Sequence, residues 1–574
     1  MRTRILTLVL LLTPVLALAD VVPQESAKSA AARFLGQKNP SSKADLQRVF
    51  EAPRLTKTVS TAPAYYLFNN AGGGYVIAAG DDSVPAVLAY SVSGTLDDAT
   101  MPDNLRAWLD MWTEIVEKNR ASGAAPYPET PATKAGSGKV LETARWGQRS
   151  PFYDHTVTID GTHALTGCNA TATAILMRYH QWPQKGSGTL PSYKDKNGNE
   201  IGAVTLGHTY DWSNMPLAYT GTETSEQKEA VAVLMRDVGV MIQSSYSTNN
   251  PSAYKNVIPG ALVKYMDYDA SIYMDRKRNY PETGAWTRRL IEEIDAGSPV
   301  IYAGYYPDNS GGHTFIVDGY DEQGYMHINW GWNGTDNDYF LVPEFQEYTF
   351  DHTAIFSAKK NSGGTVTERI EIYDYGIRMT DDTADIKKGE AFKVDFKVLN
   401  ASNTDITASL AVGKFDRDDK LQEVVSQQYD FLGWKFNYYY ELSGCTCTIT
   451  TDIHAGDYLA VVWKSVQSPQ WTQVIRNYEN SWTVSRLMLG DSVLLDENVE
   501  LRYIVSTGIL IADFDCDCTR ELRTASGTVV TTGVTDDGEQ FAIDTKQLTA
   551  GTYILHMTRG EQVKDIRLKL GLKK

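Results

Sequence analysis

The residue best suited to chemistry in this sequence is Cys168, the first of five cysteines, in the run Thr166-Gly167-Cys168-Asn169-Ala170-Thr171-Ala172. A helix is predicted just after it, because apolar residues recur at the i, i+3, i+4, i+7 spacing of one helix face, at Ala172, Ile175, Leu176 and Tyr179. Pro183 ends the run. Beside a histidine, such a thiol can have its pKa lowered from about 8.5 to roughly 3.5–7.5, since unpaired backbone N–H groups and an imidazolium stabilise the anion. The alternative is a small buried apolar residue without reactivity.

A histidine suited to act as the base lies far along the chain. His313 follows Cys168 by 145 residues (313 − 168), in a glycine-rich loop that feeds a predicted strand with a turn at Asp318-Gly319. A second strand, predicted over 325–334, carries Asn329. The order of cysteine, histidine and asparagine, and their spacing, match a papain-like cysteine protease. Upstream, Gln148 offers a side-chain amide where such enzymes keep an oxyanion donor.

Five short motifs, in order along the chain, resemble the streptopain family of bacterial cysteine proteases, which includes interpain-type enzymes. The resemblance covers roughly residues 25 to 360, including a pro-region. The motifs are Trp146-x-Gln148-x-x-Pro151-Phe152, Gly167-Cys168-x-Ala170-Thr171-Ala172, Met177-x-Tyr179-His180-x-x-Pro183, Gly312-His313-x-Phe315-x-x-Asp318-Gly319-Tyr320 and Asn329-Trp330-Gly331-Trp332.

This resemblance implies a papain-like α+β fold with Cys168 as nucleophile and His313 as general base and acid. It further implies that Gln148 and the backbone N–H of Cys168 form the oxyanion hole, that Trp330 shields the imidazole and that Asn329 helps to orient it. The sequence departs from the family at Asn169, where a small apolar residue is more usual. We interpret Asn169 as a change in the helix entry or pocket floor, since the reacting groups are intact.

No cofactor or metal is expected from the remaining polar motifs. His155, His163, His208 and His327 lack zinc-site spacing and are interpreted as surface or turn residues, and His180 as a packing or capping residue. The stretch Asp195–Asn199 has its glycine at the wrong position for a calcium loop, which favours a hairpin turn. The net charge of −17 argues against nucleic acid and anionic membranes as main partners.

The 574 residues are too many for one core, so several domains are expected. Basic residues followed by an apolar run predict a signal peptide over 1–19 rather than an integral membrane span, and hence a secreted or outer-surface protein. Residues 20–134 resemble the inhibitory pro-domain of the family, an intramolecular partner of the protease. Its predicted elements are a helix over 25–35, strands over 64–69 and 74–79, and an amphipathic helix over 103–120.

A linker rich in Ala, Gly, Pro and Ser follows the pro-domain, and Lys134 or Lys139 is the predicted cleavage zone. The protease domain is predicted over 135–362. Alternating apolar and polar residues then predict a β-sandwich over 363–487 and an all-β module over 488–574. The last module resembles a C-terminal sorting module, which implies an outer-membrane secretion machinery as a partner.

The other four cysteines lie in these β modules, in the pairs Cys445/Cys447 and Cys516/Cys518. A bridge within a pair would be strained, because both members of a C-x-C pair face the same side of a strand. Disulfides between the pairs, a metal site and free thiols all stay open.

The predicted function is that of a secreted cysteine endopeptidase, made as a zymogen, that hydrolyses protein substrates. The main alternative, which Asn169 alone favours, is an inactive surface adhesin or host-protein binder acting through its β modules. Acyl transfer to an amine with the same dyad is a third possibility. An intact catalytic set and a retained pro-domain favour the protease, since an inactive one has no need of an inhibitor.

Overall fold

A computed structural model describes most of the chain, in two compact units: residues 1–99 with 109–131, and residues 100–108 with 132–574. No helix among the described residues is long and apolar enough to cross a membrane. The described residues are 19–40, 44–51, 62–127, 137–277, 280, 284–305, 312–342, 351–380, 386–416, 419–436, 438–454, 457–474, 486–489, 500–504, 509–513, 519–524, 529–536, 540–548, 551–559 and 562–570.

The elements predicted for the pro-region are present. The helices are α1 (Gln24–Lys38) and α2 (Asp103–Ser122), and the strands are β1 (Leu46–Glu51), β2 (Tyr65–Asn70), β3 (Tyr75–Ala79) and β4 (Val87–Ser91). The strands form an antiparallel sheet in chain order, of which β1 and β4 were not predicted. All six apolar residues of the predicted stripe on α2 are buried, namely Leu105, Trp108, Leu109, Trp112, Ile115 and Val116.

The described part of the next region of the chain contains four α-helices, a short 3-10 helix (Trp212–Asn214) and thirteen strands. The helices are α3 (Cys168–His180), α4 (Ser225–Met241), α5 (Val257–Met266) and α6 (Ala285–Asp295). The strands are β5 (Lys139–Val140), β6 (Thr158–Ile159), β7 (Thr162–His163), β8 (Thr189–Leu190), β9 (Tyr193–Lys194), β10 (Glu200–Ile201), β11 (Val204–Thr205), β12 (Tyr273–Arg276), β13 (Val300–Tyr305), β14 (Gly312–Tyr320), β15 (Met326–Asn329), β16 (Asp338–Phe340) and β17 (Asp351–Phe356).

One antiparallel sheet, in the order β16-β15-β14-β13-β17-β12, organises this region, and β5 pairs with the far end of β14. Because side chains alternate along a strand, Ile301, Ile316 and Ile355 share the core of α3, α4 and α5. The intervening Tyr302 and Phe356 pack instead against Trp286 of α6. The sheet is therefore covered by helices on both faces, an α+β arrangement.

Helix α3 is more deeply enclosed than predicted. Residues 169–177 are all buried, so the helix lies inside the core on every side instead of presenting one apolar face. Alanine and threonine fill most of its other faces, and their small side chains let neighbouring segments approach closely. The helix begins at Cys168 itself and ends at His180.

The predicted turn at Asp318-Gly319 is wrong, because both residues lie inside β14. The ladder between β14 and β15 shifts register between Val317 and Gly319, a bulge in the strand. A Cβ on Gly319 would meet the Lys139 carbonyl oxygen at 2.6 Å, so glycine here permits the close approach of β5. The chain turns at Asp321–Gly324, where Asp321 and Tyr325 pair across the hairpin.

Two sheets with a shared core follow, as a β-sandwich requires. One has the order β18-β19-β23, and the other the order β21-β20-β24-β25 with β22 beside β20 and β26 beside β24. The strands are β18 (Ile370–Met379), β19 (Ala391–Asn400), β20 (Ile406–Phe415), β21 (Leu421–Val424), β22 (Tyr429–Trp434), β23 (Tyr439–Thr448), β24 (Tyr458–Ser465), β25 (Thr472–Gln473) and β26 (Leu487–Met488). Cys445 and Cys447 are free and buried in this core, on the same side of β23. Cys516 and Cys518 lie outside the described residues.

The sandwich is held on the preceding region by buried polar contacts. The Arg369 guanidinium makes two hydrogen bonds of 2.8 Å to the carboxylate of Asp275 on β12. The Asn403 amide donates to the carbonyls of Ala270 and Ile272. A buried ion pair and amide-to-carbonyl hydrogen bonds at one contact favour one fixed arrangement, so this sandwich is a docked body rather than a loosely tethered one.

The last described strands form two four-stranded antiparallel sheets, in the orders β27-β28-β32-β31 and β30-β29-β33-β34, that share a small core. They are β27 (Glu500–Ile504), β28 (Ile509–Asp513), β29 (Thr519–Thr524), β30 (Val529–Val530), β31 (Val534–Asp536), β32 (Gln540–Asp544), β33 (Gly551–Arg559) and β34 (Gln562–Leu570). The described residues of this part of the chain are therefore mainly β-strands, with one 3-10 turn at Thr545–Gln547.

Candidate active site

Cys168 is the first residue of α3 and is half-buried. The chain enters the helix through Gly167, whose φ of +84° favours glycine. Across this entry the hydroxyls of Thr166 and Thr171 are 2.9 Å apart and share a hydrogen bond. The thiol is thus fixed at the end of a buried helix, where backbone N–H groups lack helical partners.

The Cys168 sulfur lies against Thr314, the residue after His313. Burial raises the pKa of the Cys168 thiol, and hydrogen bonds from the Thr314 backbone and hydroxyl and from the Asn169 backbone offset part of that increase. The sequence predicted a lowered pKa from the helix terminus and a nearby imidazolium. In this structure the loss of solvation outweighs the hydrogen bonds, so the neutral thiol is favoured.

His313 is half-buried near the start of β14, opposite Gly304 of β13. The next residues show the two faces of the strand: Thr314 faces α3, whereas Phe315 packs on Tyr302 at 5.2 Å and on Trp330 at 4.9 Å. By strand alternation His313 shares the face of Phe315. His313 is therefore the residue directly before Thr314, which lies beside the Cys168 sulfur.

Gln148 is brought beside the entry to α3 by its backbone, since its carbonyl accepts from the Thr166 N–H at 3.3 Å. Its half-buried amide makes no side-chain hydrogen bond to another described residue. Gly147 before it allows close packing of Asn333, whose Oδ1 would lie 2.5 Å from a Cβ there. The amide donor therefore lies in a closely packed segment next to the entry to α3.

The Asn329 side chain is buried, and its hydrogen bonds lead away from His313. Nδ2 donates to the Thr143 hydroxyl and to the Ala144 carbonyl, both at 2.9 Å, and Oδ1 accepts from the Gly331 N–H at 3.1 Å. These bonds fix the segment that carries Trp330 to the segment that leads to Gln148. The direct orienting contact with His313 that the sequence predicts is not among them.

An acid–histidine pair adjoins this amide. The Thr143 hydroxyl donates to the buried carboxylate of Asp318, whose other oxygen is 2.5 Å from His327 Nδ1. Burial disfavours the charged imidazole, but the attraction of Asp318 and the hydrogen bond outweigh it and raise the pKa of His327. The prediction of a surface or turn residue is therefore wrong for His327, because Asp318 meets it across the β14–β15 bulge.

Trp330 is a packed residue, 1% exposed, between Phe315 and Phe340. Its indole N–H donates to the Asp336 carbonyl at 2.9 Å, and its backbone N–H donates to the Asn337 side chain at 3.0 Å. Phe340 also packs edge-on against Trp108 at 5.1 Å, and the Trp108 indole donates to the Leu341 carbonyl. A continuous aromatic cluster thus begins beside His313 and supports this end of the sheet.

Asp336 is a strained, poorly solvated acid in the same loop. Its φ is +54°, and one carboxylate oxygen is buried without a hydrogen-bond partner. Burial raises the pKa of Asp336 to about 6. The loop that holds Trp330 therefore contains a carboxylate that the folded state disfavours near neutral pH.

The other predicted polar residues have structural contacts. His180 stacks on Tyr268 at 5.8 Å, and burial, together with Lys360, lowers the pKa of His180 to about 4. Strands β9 and β10 pair as a hairpin, and the Asp195 carboxylate accepts backbone N–H groups within and beside it. No group of three or more metal-ligating side chains occurs among the described residues.

Comparison with known proteins assigns the family. The model of the Peptidase C10 family matches residues 146–340, and that of the Spi protease inhibitor matches residues 19–116. Streptopain of Streptococcus pyogenes is 31% identical over 297 residues, 48% of this chain and 73% of that protein. The chain belongs to the Peptidase C10 family of cysteine proteases.

Two further relatives extend the comparison. The thiol protease/hemagglutinin PrtT of Porphyromonas gingivalis is 32% identical over 357 residues, 59% of this chain. The match spans only 40% of the length of PrtT. A solved prointerpain A fragment from Prevotella intermedia is 27% identical, with a TM-score of 0.46, and the match covers 55% of this chain and 99% of the fragment.

Sequence reasoning missed the residues that connect the predicted ones. Thr314 was passed over although it directly follows His313, and Thr143 lies in no motif. Asn169 was noted only as a departure from the family. A usable signal was present, because Asn169 and Thr314 are separated by the same 145 residues as Cys168 and His313.

Proposed function

We propose that the chain is the precursor of a secreted cysteine endopeptidase of papain-like fold, in which Cys168 and His313 form the catalytic dyad. The observation that carries the proposal is the hydrogen bond of 2.9 Å from Thr314, the residue after His313, to Asn169, the residue after Cys168. Two segments 145 residues apart in the sequence meet at these positions. Membership of the Peptidase C10 family supports the same reaction.

In the proposed reaction the Cys168 thiolate attacks the scissile carbonyl, and His313 holds the proton that the thiol releases. His313 then protonates the leaving amine and later activates the water that hydrolyses the acyl-enzyme. Burial raises the pKa of the Cys168 thiol in this structure, and ion-pair formation with His313 is the proposed source of the reactive thiolate.

The developing oxyanion is held by the Gln148 amide and the backbone N–H of Cys168. The free amide of Gln148, and its position beside the entry to α3, support this role. Asn329 and Trp330 act on His313 indirectly: Asn329 fixes the end of β15 to the segment that leads to Gln148, and Trp330 packs on Phe315 beside His313.

Activation is proposed to require removal of the pro-domain, which the match to the Spi protease inhibitor supports. Of the two predicted cleavage points, Lys139 is disfavoured. It lies in β5, paired with Tyr320, and its Nζ donates to the Asp295 carbonyl at 3.0 Å. Lys134 lies outside the described residues, and cleavage is proposed upstream of β5.

Export through a signal peptide over 1–19 and a sorting role for 488–574 stay proposals, as do the domain boundaries 20–134, 135–362 and 363–487. Residues 1–18 lie outside the described part of the chain. The predicted signal peptide supports an extracellular or outer-surface location, and membership of the Peptidase C10 family supports protein substrates.

The test compares the chain from Asp20 with its Cys168→Ala variant under mildly reducing conditions at neutral pH, with casein as substrate. We expect the wild type to shorten by about the mass of the pro-domain and to digest casein in an E-64-sensitive manner. The variant should stay full length and inert. If neither protein cleaves casein, even after trypsin has cut the linker, the proposal fails and the β modules become the candidates for an adhesin function.

A further inference from the structure

Asn169, the residue that departs from the family, makes a buried hydrogen bond to the strand of His313. Its Oδ1 accepts from the Thr314 hydroxyl at 2.9 Å, and its Nδ2 donates to the Ala253 carbonyl at 3.2 Å. Asn169 is 4% exposed and Thr314 is 1% exposed. One amide therefore joins the first turn of α3, the start of β14 and the loop around Ala253.

The position of this bond couples it to the dyad. Asn169 directly follows Cys168 and Thr314 directly follows His313, so each partner is one peptide unit from a proposed catalytic residue. Displacing either catalytic backbone by more than a few tenths of an ångström would stretch the bond beyond hydrogen-bond length.

The start of β14 has a strand partner on one side only. Residues 312–315 pair with β13 on one side, whereas pairing with β15 begins only at Ile316. The hydrogen bond to Asn169 reaches β14 within this singly paired stretch. A small apolar residue at 169 would leave the stretch without this support.

The Thr314 hydroxyl also lies beside the Cys168 sulfur. It carries one proton, so its hydrogen bond to Asn169 competes with the one that it can donate to the sulfur. Asn169 thus affects the direction of the hydroxyl as well as the position of the strand.

We propose that Asn169 and Thr314 are a pair of positioning residues that hold the nucleophile helix against the histidine strand. The inference rests on the proposed function of Cys168 and His313. Neither residue of the pair touches the scissile bond; both act by placing the two reacting groups. Asn169 is thereby part of a working active site and does not indicate an inactive protease.

The test uses the full chain from Asp20 with Thr314→Val, Asn169→Val and the double variant, after maturation. Each single change should lower kcat by about 10- to 100-fold with KM changed less than about threefold, since misplacement of reacting groups affects the chemical step. The double variant should be no slower than the slower single variant, because both changes remove the same bond. Thr314→Ser, which keeps the hydroxyl, should recover most of the rate.

Thr173→Val is the matched control. Its buried hydroxyl donates to the Asn169 carbonyl at 2.8 Å inside α3, so the change removes a hydrogen bond to the same residue without touching β14. It should leave kcat within about threefold of the wild type at equal thermal stability. If Thr173→Val is as slow as Thr314→Val, or if the two single losses multiply in the double variant, the proposal is overturned.

Alkylation of Cys168 by iodoacetamide separates this proposal from the proposed function. The rate of alkylation of wild-type Cys168 should rise at a lower pH than that of a free thiol. His313→Ala should abolish this reactivity at low pH. Asn169→Val and Thr314→Val should each diminish it. A wild type that is alkylated in this way but cleaves no peptide would overturn the protease function alone. If the pH profile of alkylation is unchanged in both variants, the proposed role of Asn169 and Thr314 is overturned. If Thr314→Val does not fold, Asn169→Val alone provides the test.

Discussion

Replacing Asp336 by asparagine should raise the free energy of unfolding at neutral pH but not at acidic pH. In the folded state burial raises the pKa of Asp336 to about 6, whereas an unfolded aspartate titrates near about 3.9. Below the lower value both states are protonated, so the group has no effect on stability. As pH rises through 6, the folded state must ionise a partly buried carboxyl with an unpaired oxygen, and stability is lost.

The size of the effect follows from the shift. A difference of about two pKa units, at about 1.4 kcal/mol each, gives an upper value of about 3 kcal/mol at neutral pH. Asp336 is partly exposed, so solvent screening reduces this, and we expect a gain of about 1–2 kcal/mol for Asp336→Asn. Asparagine also tolerates the left-handed backbone that this position requires.

Urea unfolding, followed by tryptophan fluorescence in a Cys168→Ala background, measures the difference between the two proteins at several pH values. Asp160→Asn is the matched control, because Asp160 has a similar φ of +49° but is exposed. The gain from Asp336→Asn should vanish near about pH 4 and reach its plateau above about pH 7. A gain that is independent of pH, or one that Asp160→Asn reproduces, would refute the electrostatic reasoning.

Three further changes test other parts of the molecule. Gln148→Ala should lower kcat by about 10²–10³ with little change in KM or in the alkylation rate of Cys168, as measured by steady-state kinetics and mass spectrometry, because it removes an oxyanion donor. Arg369→Met should destabilise the chain by about 3–5 kcal/mol in urea, because it removes the guanidinium that pairs with the buried Asp275 carboxylate, and Arg369→Met with Asp275→Leu should recover much of the loss. Cys447→Ser should lower thermal stability more than Cys447→Ala with casein cleavage unchanged, because it buries a hydroxyl in the sandwich core at about 1–3 kcal/mol.

Features that depend on residues close together in the sequence could be predicted from it. The spacing of the apolar residues in α2 predicts which side of the helix is buried. The alternation of apolar and polar residues in β19 predicts a strand with one face in a core. The residues proposed for catalysis could be found because their types and order are specific. These signals are local, or depend on residue identity alone.

Features that arise where distant segments meet could not be predicted. Gly319 was interpreted as a turn residue because Asp-Gly usually makes turns, but the approach of β5 makes it a bulge glycine. His327 has no metal-site spacing, yet Asp318 faces it across the hairpin and raises its pKa. The pKa of Cys168 is raised because neighbouring segments bury the thiol. The spacing of apolar residues in the helix does not predict that burial.

Several of these unpredicted contacts share one segment, residues 139–148. Its first two residues form β5 against β14, and Thr143 bridges Asn329 and Asp318. The Trp146 carbonyl accepts from Asn333 in the loop after Trp330, and Gln148 holds the entry to α3. The protease region thus uses its first ten described residues after Gly138 to brace both the histidine sheet and the cysteine helix. Cleavage within β5 would loosen the sheet beside His313, so proteolytic maturation is compatible with an assembled active site only if it occurs upstream of this segment.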